Sequence, residues 1–263
     1  MGQGHTADRW RSRCRPSRDV LAEAARVIEI PYLPRAQFQD FHERKDRFAK
    51  VVAHRRFGKT VGCINDLIRS AVTNTRKQPP PRYAYIAPTY TQAKDVAWNY
   101  LKYYSAPIPG IKTSESELWV DYPNGARVRL YGADNYERLR GLYHDGVVID
   151  EPAQMDPRAW PEVIRPTLAD HGGWATFIGT PAGRDWFYKI DRDDKGREIP
   201  GWFRLILKAS DTGIIKPEEL ESLKVGLSDE QYAQEFECSF EAAVVGAYYG
   251  RLMADAERDK RIC

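Results

Sequence analysis

The sequence is poor in the features that define several specialised classes of chain. Its four cysteines (Cys14, Cys63, Cys238 and Cys263) lie far apart, with no C-x-x-C pair and no histidine at ligand spacing. A disulfide framework or a zinc site is therefore excluded as the organising principle, and a reducing compartment fits. No run approaches the ~18 apolar residues that a membrane span requires. There is no internal repeat and no low-complexity tract. An excess of one charge is lacking as well: 40 Lys and Arg stand against 37 Asp and Glu, a net of +3. Any nucleic-acid surface must then come from local clustering. What is present is 42% hydrophobic residues, with 12% aromatics, in 263 residues. That is enough to close a core in one large domain or two small ones.

A more local absence is the informative one. The stretch KVVAHRRFGKTVGCI (50–64) reads as an apolar strand running through a loop into a helix. Its Gly58-Lys59-Thr60 is how a phosphate-binding loop closes, with backbone N–H groups and a Lys around phosphates. The first glycine of G-x-x-x-x-G-K-[ST] is missing, because Ala53 stands there, and Arg55 and Arg56 lie inside the loop.

Residues 1–18 carry five arginines against one acid, Asp8, without apolar periodicity, and read as a basic arm. The start MGQGHT formally matches a myristoylation pattern, but the RWRSRCRPSR that follows reads as part of the arm. Residues 19–29 have helical spacing of Leu21, Ala25 and Ile28, and Pro31 and Pro34 then break the chain. Further on, the pattern alternates. Strands are expected over 48–53, 83–87, 117–121, 126–131, 146–150, 174–179 and 203–208. Helices are expected over 36–46, 59–74, 90–104, 157–165, 184–191, 216–225 and 228–237. Short unalternating strands such as GVVID suit parallel strands buried under helices, and strands alternating with helices argue for a layered α/β fold. PNG at 123–125 reads as a hairpin turn in an antiparallel addition.

Three strand ends carry candidate chemistry. At Lys59 a Lys can reach β- and γ-phosphates, and at Thr60 a hydroxyl can bind Mg²⁺. GVVIDEPAQM (146–155) ends a strand in two adjacent carboxylates. Alternation along a strand separates their roles, Asp150 towards the phosphate loop and Mg²⁺, Glu151 towards an attacking water. WATFIGTPAG (174–183) ends in Gly179-Thr180-Pro181; its polar tip can sense a γ-phosphate, or it can be a plain Pro-Gly turn. In YIAPTYTQAKDVAW (85–98), Thr89, Thr91, Gln92 and Lys94 can contact a nucleic-acid backbone, or simply cap and solvate a helix.

Taken together, residues 30–245 resemble the ATPase domain of the large terminase subunit, the DNA-packaging motor of tailed bacteriophages. The resemblance implies a P-loop NTPase of the ASCE/RecA-like kind, with a mainly parallel sheet flanked by helices and a small helical lid. Family loops tolerate loss of the first glycine and carry an Arg four residues before the Lys, which implies a phosphate role for Arg55; Arg56 has no assigned role. Gln37 in LPRAQFQDF (33–41) matches the family's adenine-recognising element, and its amide can donate to and accept from the base. Asp150 and Glu151 fall on the Walker B pair, and Gly179-Thr180-Pro181 on the coupling motif. Arg140 in ERLRGLYHDG (137–146) matches a finger that acts on the neighbouring subunit of a ring; the alternative is a surface salt bridge with Glu137.

The division expected is a basic arm and helix at 1–30, an ATPase core at 31–210, a lid at 211–245 and, at 246–263, the start of a connector to an absent nuclease domain. No nuclease residues are assigned. ATP and Mg²⁺ are the implied cofactors. The implied partners are double-stranded DNA, the portal and procapsid, the small terminase subunit and further copies in a ring, with a monomer expected for the domain alone. The implied location is the host cytoplasm, at the procapsid, and no membrane contact is implied. Two other readings compete. One is a superfamily 2 helicase, although the remaining ~100 residues leave little room for a second RecA-like half. The other is a nucleotide-gated DNA- or portal-binding module without turnover.

Overall fold

Alternating apolar strands and helices assemble one eight-stranded sheet. The computed structural model describes residues 29–241; the basic arm, the helix expected to begin at residue 19 and the connector expected at 246–263 lie outside the described residues. The strands are β1 Phe48–Ala53, β2 Arg82–Ala87, β3 Lys112–Ser114, β4 Trp119–Asp121, β5 Arg127–Gly132, β6 Gly146–Asp150, β7 Trp174–Gly179 and β8 Trp202–Leu207. Their order across the sheet is β3-β4-β5-β2-β6-β7-β1-β8. From β5 to β8 every pairing is parallel. β3 and β4 add antiparallel at one edge, through the expected hairpin, which the Tyr122–Ala126 and Gly125–Tyr122 backbone bonds close. β3 is the one strand not foreseen: three residues, Lys-Thr-Ser, offer no apolar alternation to read.

The helices are α1 Gln39–Glu43, α2 Lys59–Thr73, α3, α4 Trp186–Lys189, α5 Ala209–Thr212, α6 Pro217–Lys224 and α7 Asp229–Glu235. α3 runs through Tyr90–Ala93, a π-helical turn at Lys94–Trp98 and Asn99–Ser105. The helix expected over 157–165 is a π-helical segment, Ala159–Ile164, and residues 133–139 form a 3₁₀ segment that periodicity did not reveal.

Two apolar layers bury the sheet, as parallel strands require. On one face Val51, Ala53, Tyr83, Tyr85, Val148 and Ile178 pack with Ile64, Leu67 and Ile68 of α2. On the other Val52, Ile86, Val147, Ile149 and Phe177 pack with Trp160, Val163 and Phe187. Lys50, in the middle of β1, is buried because its ammonium reaches Asp191 at 2.8 Å and the Tyr188 carbonyl at 3.0 Å; Arg204 closes on the same Asp191 at 2.6 Å. Buried charges persist only when paired in this way. Gly62 in α2 is required by close approach. A Cβ there would lie 2.2 Å from the Phe38 ring, which seats the 3₁₀ turn Ala36–Phe38 directly on the helix.

Candidate active site

The loop between β1 and α2 is His54–Gly58. Ala53, where the pattern wants its first glycine, is still the last residue of β1, paired with Leu207 of β8 and fully buried. An extended residue has no need of glycine. The left-handed backbone falls instead at Arg56 (φ 66°) and Gly58 (φ 99°), and Gly58 caps α2. The first backbone bond of that helix runs from the Gly62 N–H to the Gly58 carbonyl. The N–H groups of Lys59, Thr60 and Val61 are thus left unpaired within the helix and point off its positive end, a geometry suited to phosphate. The Lys59 ammonium folds back on the Ala53 carbonyl at 2.6 Å.

His54 is a site residue that pattern reading missed. It is fully buried, and burial lowers its pKa below the ordinary histidine value. Nδ1 faces the Arg55 carbonyl at 2.6 Å, so the proton is assigned there, and Nε2 then accepts from the Thr212 hydroxyl at 2.8 Å. Gln37 donates to the Thr212 carbonyl at 3.3 Å. Thr212 ends α5 and so joins the loop to Gln37. Arg55 makes a two-pronged pair with Glu235 at the end of α7, at 2.6 and 3.0 Å. Gln37 and Arg55 are both held by the C-terminal helices in this structure.

β6 delivers the carboxylate pair. Asp150 shares the α2 side of the sheet with Val148, two residues earlier, and is buried. Burial, together with the neighbouring Glu151 carboxylate, pushes its carboxyl up to about 7, against the pull of Tyr85 and Lys59. The Tyr85 hydroxyl donates to Asp150 Oδ2. Glu151 lies past the strand end, with φ 47° and ψ 55°. The divergence expected from strand alternation is produced by this left-handed residue, not by the pleat. A non-glycine residue held there marks strain of the kind that clusters at functional sites.

β7 lies between β1 and β6. Gly179 ends it, and Thr180 gives both its N–H (3.1 Å) and its hydroxyl (3.3 Å) to Glu151 Oε2; Pro181 is buried beside them. Glu151, Thr180, Asp150, Thr60 and Lys59 therefore gather at the C-terminal ends of β1, β6 and β7, the usual place for a ligand on an open α/β sheet. Arg140 makes an exposed two-pronged bridge to Glu137 at 2.9 and 3.2 Å. The turn after it has Gly141 at φ 81°. Thr89 and Gln92 form a reciprocal cap on α3, both bonds at 3.1 Å.

The residues fit Mg²⁺. Asp150 is a buried carboxylate beside the Thr60 end of α2, and no group of three or more His, Cys, Asp or Glu side chains suited to a metal exists among the described residues. Mg²⁺ with one or two carboxylates and substrate phosphates needs no all-protein cage.

A phosphate loop at the head of α2, with a carboxylate strand two places away across a parallel sheet, defines the P-loop class of α/β NTPase. Residues 52–253 match the family described as terminase large subunit, T4likevirus-type, N-terminal, and the chain belongs to that family. It is 25% identical over 239 residues to the large terminase subunit of Escherichia phage T5, covering 86% of this chain and 50% of that protein. With the large subunit of Thermus phage G20c it shares 33% over 124 residues, 40% of this chain and 26% of the relative. The chain thus spans half or less of the length of these curated relatives. Among solved structures, the large terminase ATPase domain of Thermus phage P74-26 superposes with a TM-score of 0.69 at 20% identity, over 80% of this chain and 95% of that one. A large terminase from another thermophilic bacteriophage, in complex with ADP, gives 0.61 at 16% identity, over 78% and 51%. These likenesses bear out the fold expected from the sequence.

Proposed function

We propose that the chain binds and hydrolyses ATP to drive double-stranded DNA into a viral procapsid. The observation that carries the proposal is the convergence of the α2 N-terminus, Asp150 and the Glu151–Thr180 pair at one end of the sheet. The family supports it, as do relatives described as ATPase domains and as complexes with ADP and ATP-γ-S.

Each residue then has a part. The N–H groups at the head of α2, with Lys59, cradle the phosphates. Thr60 and Asp150 hold Mg²⁺, which when bound neutralises charge building on the phosphate oxygens. Glu151 orients and polarises the attacking water. Thr180, bonded to Glu151, reports its position to the chain after β7, with Gly179 and Pro181 shaping that link. Gln37 reads the adenine edge after leaving Thr212, and Arg55 turns from Glu235 to the phosphates. Arg140 serves a neighbouring subunit's nucleotide. Residues 31–210 form the core and 211–245 the lid. The partners are DNA, portal and procapsid, the small subunit and further copies in a ring, in the host cytoplasm. DNA cleavage is assigned to none of these residues, so plasmid incubated with Mg²⁺ or Mn²⁺ is expected to stay supercoiled.

The test is phosphate release and nucleotide binding for wild type, Lys59→Ala and Glu151→Gln. Wild type is expected to do both, Lys59→Ala neither, and Glu151→Gln to bind without turnover. A Lys59→Ala protein that binds ATP as wild type does overturns the assignment.

A further inference from the structure

Tyr85 is a buried polar group for which the roles above have no use. It lies in the middle of β2, fully buried, and pairs in register with Val148 of β6. Side chains at 148 and 150 share one side of the strand. The phenol at the level of Val148 therefore runs forward along the sheet and ends at Asp150, to which it donates. A hydroxyl rooted in one strand thus holds a carboxylate, assigned to Mg²⁺, at the end of the neighbouring strand. Tyr83, two residues earlier on the same face, shows what a structural tyrosine looks like here: its hydroxyl bonds Asn74 and the Ser70 carbonyl, away from the site.

We infer that Tyr85 is the positioning residue of the metal site, holding the Asp150 carboxylate in the orientation that Mg²⁺ requires. The inference rests on the nucleotide reading above. Mg²⁺ tolerates little departure from octahedral geometry, and hydrogen-bond partners behind a metal ligand typically alter affinity ~10- to 100-fold. A carboxylate alone at the end of a strand can rotate; one tied to a rigid aromatic in the sheet core cannot. The competing account is that a buried phenol needs some acceptor, and that Asp150 is merely near.

Mn²⁺ binding to the ADP complex, followed by electron paramagnetic resonance, separates the two. ADP binding in EDTA serves as the second readout. In Tyr85→Phe the ring remains and only the hydroxyl is lost. The Mn²⁺ dissociation constant is expected to rise ~10-fold or more, while metal-free ADP binding stays within about twofold of wild type. The contrast between the two constants within one preparation does not depend on how much of the protein is folded. Unchanged Mn²⁺ affinity overturns the inference, and so does an equal loss in both constants, which marks a general structural defect. Asp150→Asn and Lys59→Ala locate the failure. If Asp150→Asn loses Mn²⁺ and Tyr85→Phe does not, Tyr85 alone is misassigned. If Lys59→Ala binds ADP normally, or wild type binds none, the nucleotide reading falls and the inference falls with it.

Discussion

Thr180 donates both its main-chain N–H and its hydroxyl to a single oxygen of Glu151, Oε2, at 3.1 and 3.3 Å. The tip of β7 and the end of β6 thereby share one carboxylate oxygen, so a shift in either strand end is felt by the other.

Thr180→Val removes the hydroxyl and keeps both the N–H and the shape. A hydrogen bond to a charged group contributes about 1.5–3 kcal/mol. If that bond aims Glu151, kcat should fall ~10-fold while the nucleotide Kd holds. Steady-state phosphate release alongside equilibrium ADP binding tests this, and an unaltered kcat shows that the N–H alone suffices.

The carboxylate pair should divide by role. Glu151→Gln is expected to cut turnover by ~100-fold or more, the scale of general-base catalysis, with binding intact. Asp150→Asn should instead raise the Mg²⁺ concentration needed for half-maximal rate. Titrating Mg²⁺ against ATPase rate in both variants is the measurement; matching profiles refute the division.

Arg55 commits Nε and Nη2 to Glu235, so the phosphate role proposed for it competes with that pair. Glu235→Gln should weaken the pair seen at 2.6 and 3.0 Å and tighten ATP binding several-fold. Arg55→Ala should weaken it. Isothermal titration of both variants decides the point, and opposite signs are the signature sought.

Arg140 is bridged to Glu137 on the same exposed turn. As a finger in trans it must leave that bridge for a neighbouring subunit, and such a residue is worth ~10³–10⁵ in rate. Under assembling conditions, Arg140→Ala and Glu151→Gln rings should each be inactive, and mixed rings should recover part of the ATPase, since some interfaces then pair two intact residues. A mixture that stays inactive, or an active Arg140→Ala ring, leaves only the salt bridge.

His144 gives a pH prediction. Burial pushes its pKa down to about 4, against the opposite pull of Asp145, and Nδ1 lies 2.9 Å from the Thr167 hydroxyl. The folded state keeps the ring neutral while the unfolded chain takes up its proton near 6.5. The stability from His144 is therefore complete above about pH 6.5 and lost as pH falls towards 4, by about 3 kcal/mol. Asp150, raised to about 7, contributes the opposite slope, with stability declining as pH rises through that window. Urea unfolding at pH 6.5 and 4.5, for wild type and His144→Gln, isolates the histidine: the variant should show a shallower loss on acidification.

The alternating sheet, the edge hairpin, the phosphate loop and the carboxylate strand were all legible in the sequence, because each depends on near neighbours. Apolar runs set strands, periodicity set helices, and Gly58-Lys59-Thr60 ahead of a helical pattern marks a helix N-terminus. Contacts across long stretches of chain were not legible. Nothing near Lys50 announces Asp191, nothing near His54 announces Thr212, and nothing near Gly62 announces the Phe38 ring that requires it. The resemblance marked the missing first glycine as a tolerated variation; strand pairing with Leu207 supplies the physical reason, since residue 53 is still extended and needs none. Likewise, the separation of Asp150 from Glu151 comes from one left-handed residue, which the Ile178 carbonyl (bonded to the Glu151 N–H at 2.8 Å) and Thr180 hold in place. Local pattern determined which residues stand at the strand ends. Tertiary packing decided where their side chains point, because the partners that hold them come from distant parts of the chain.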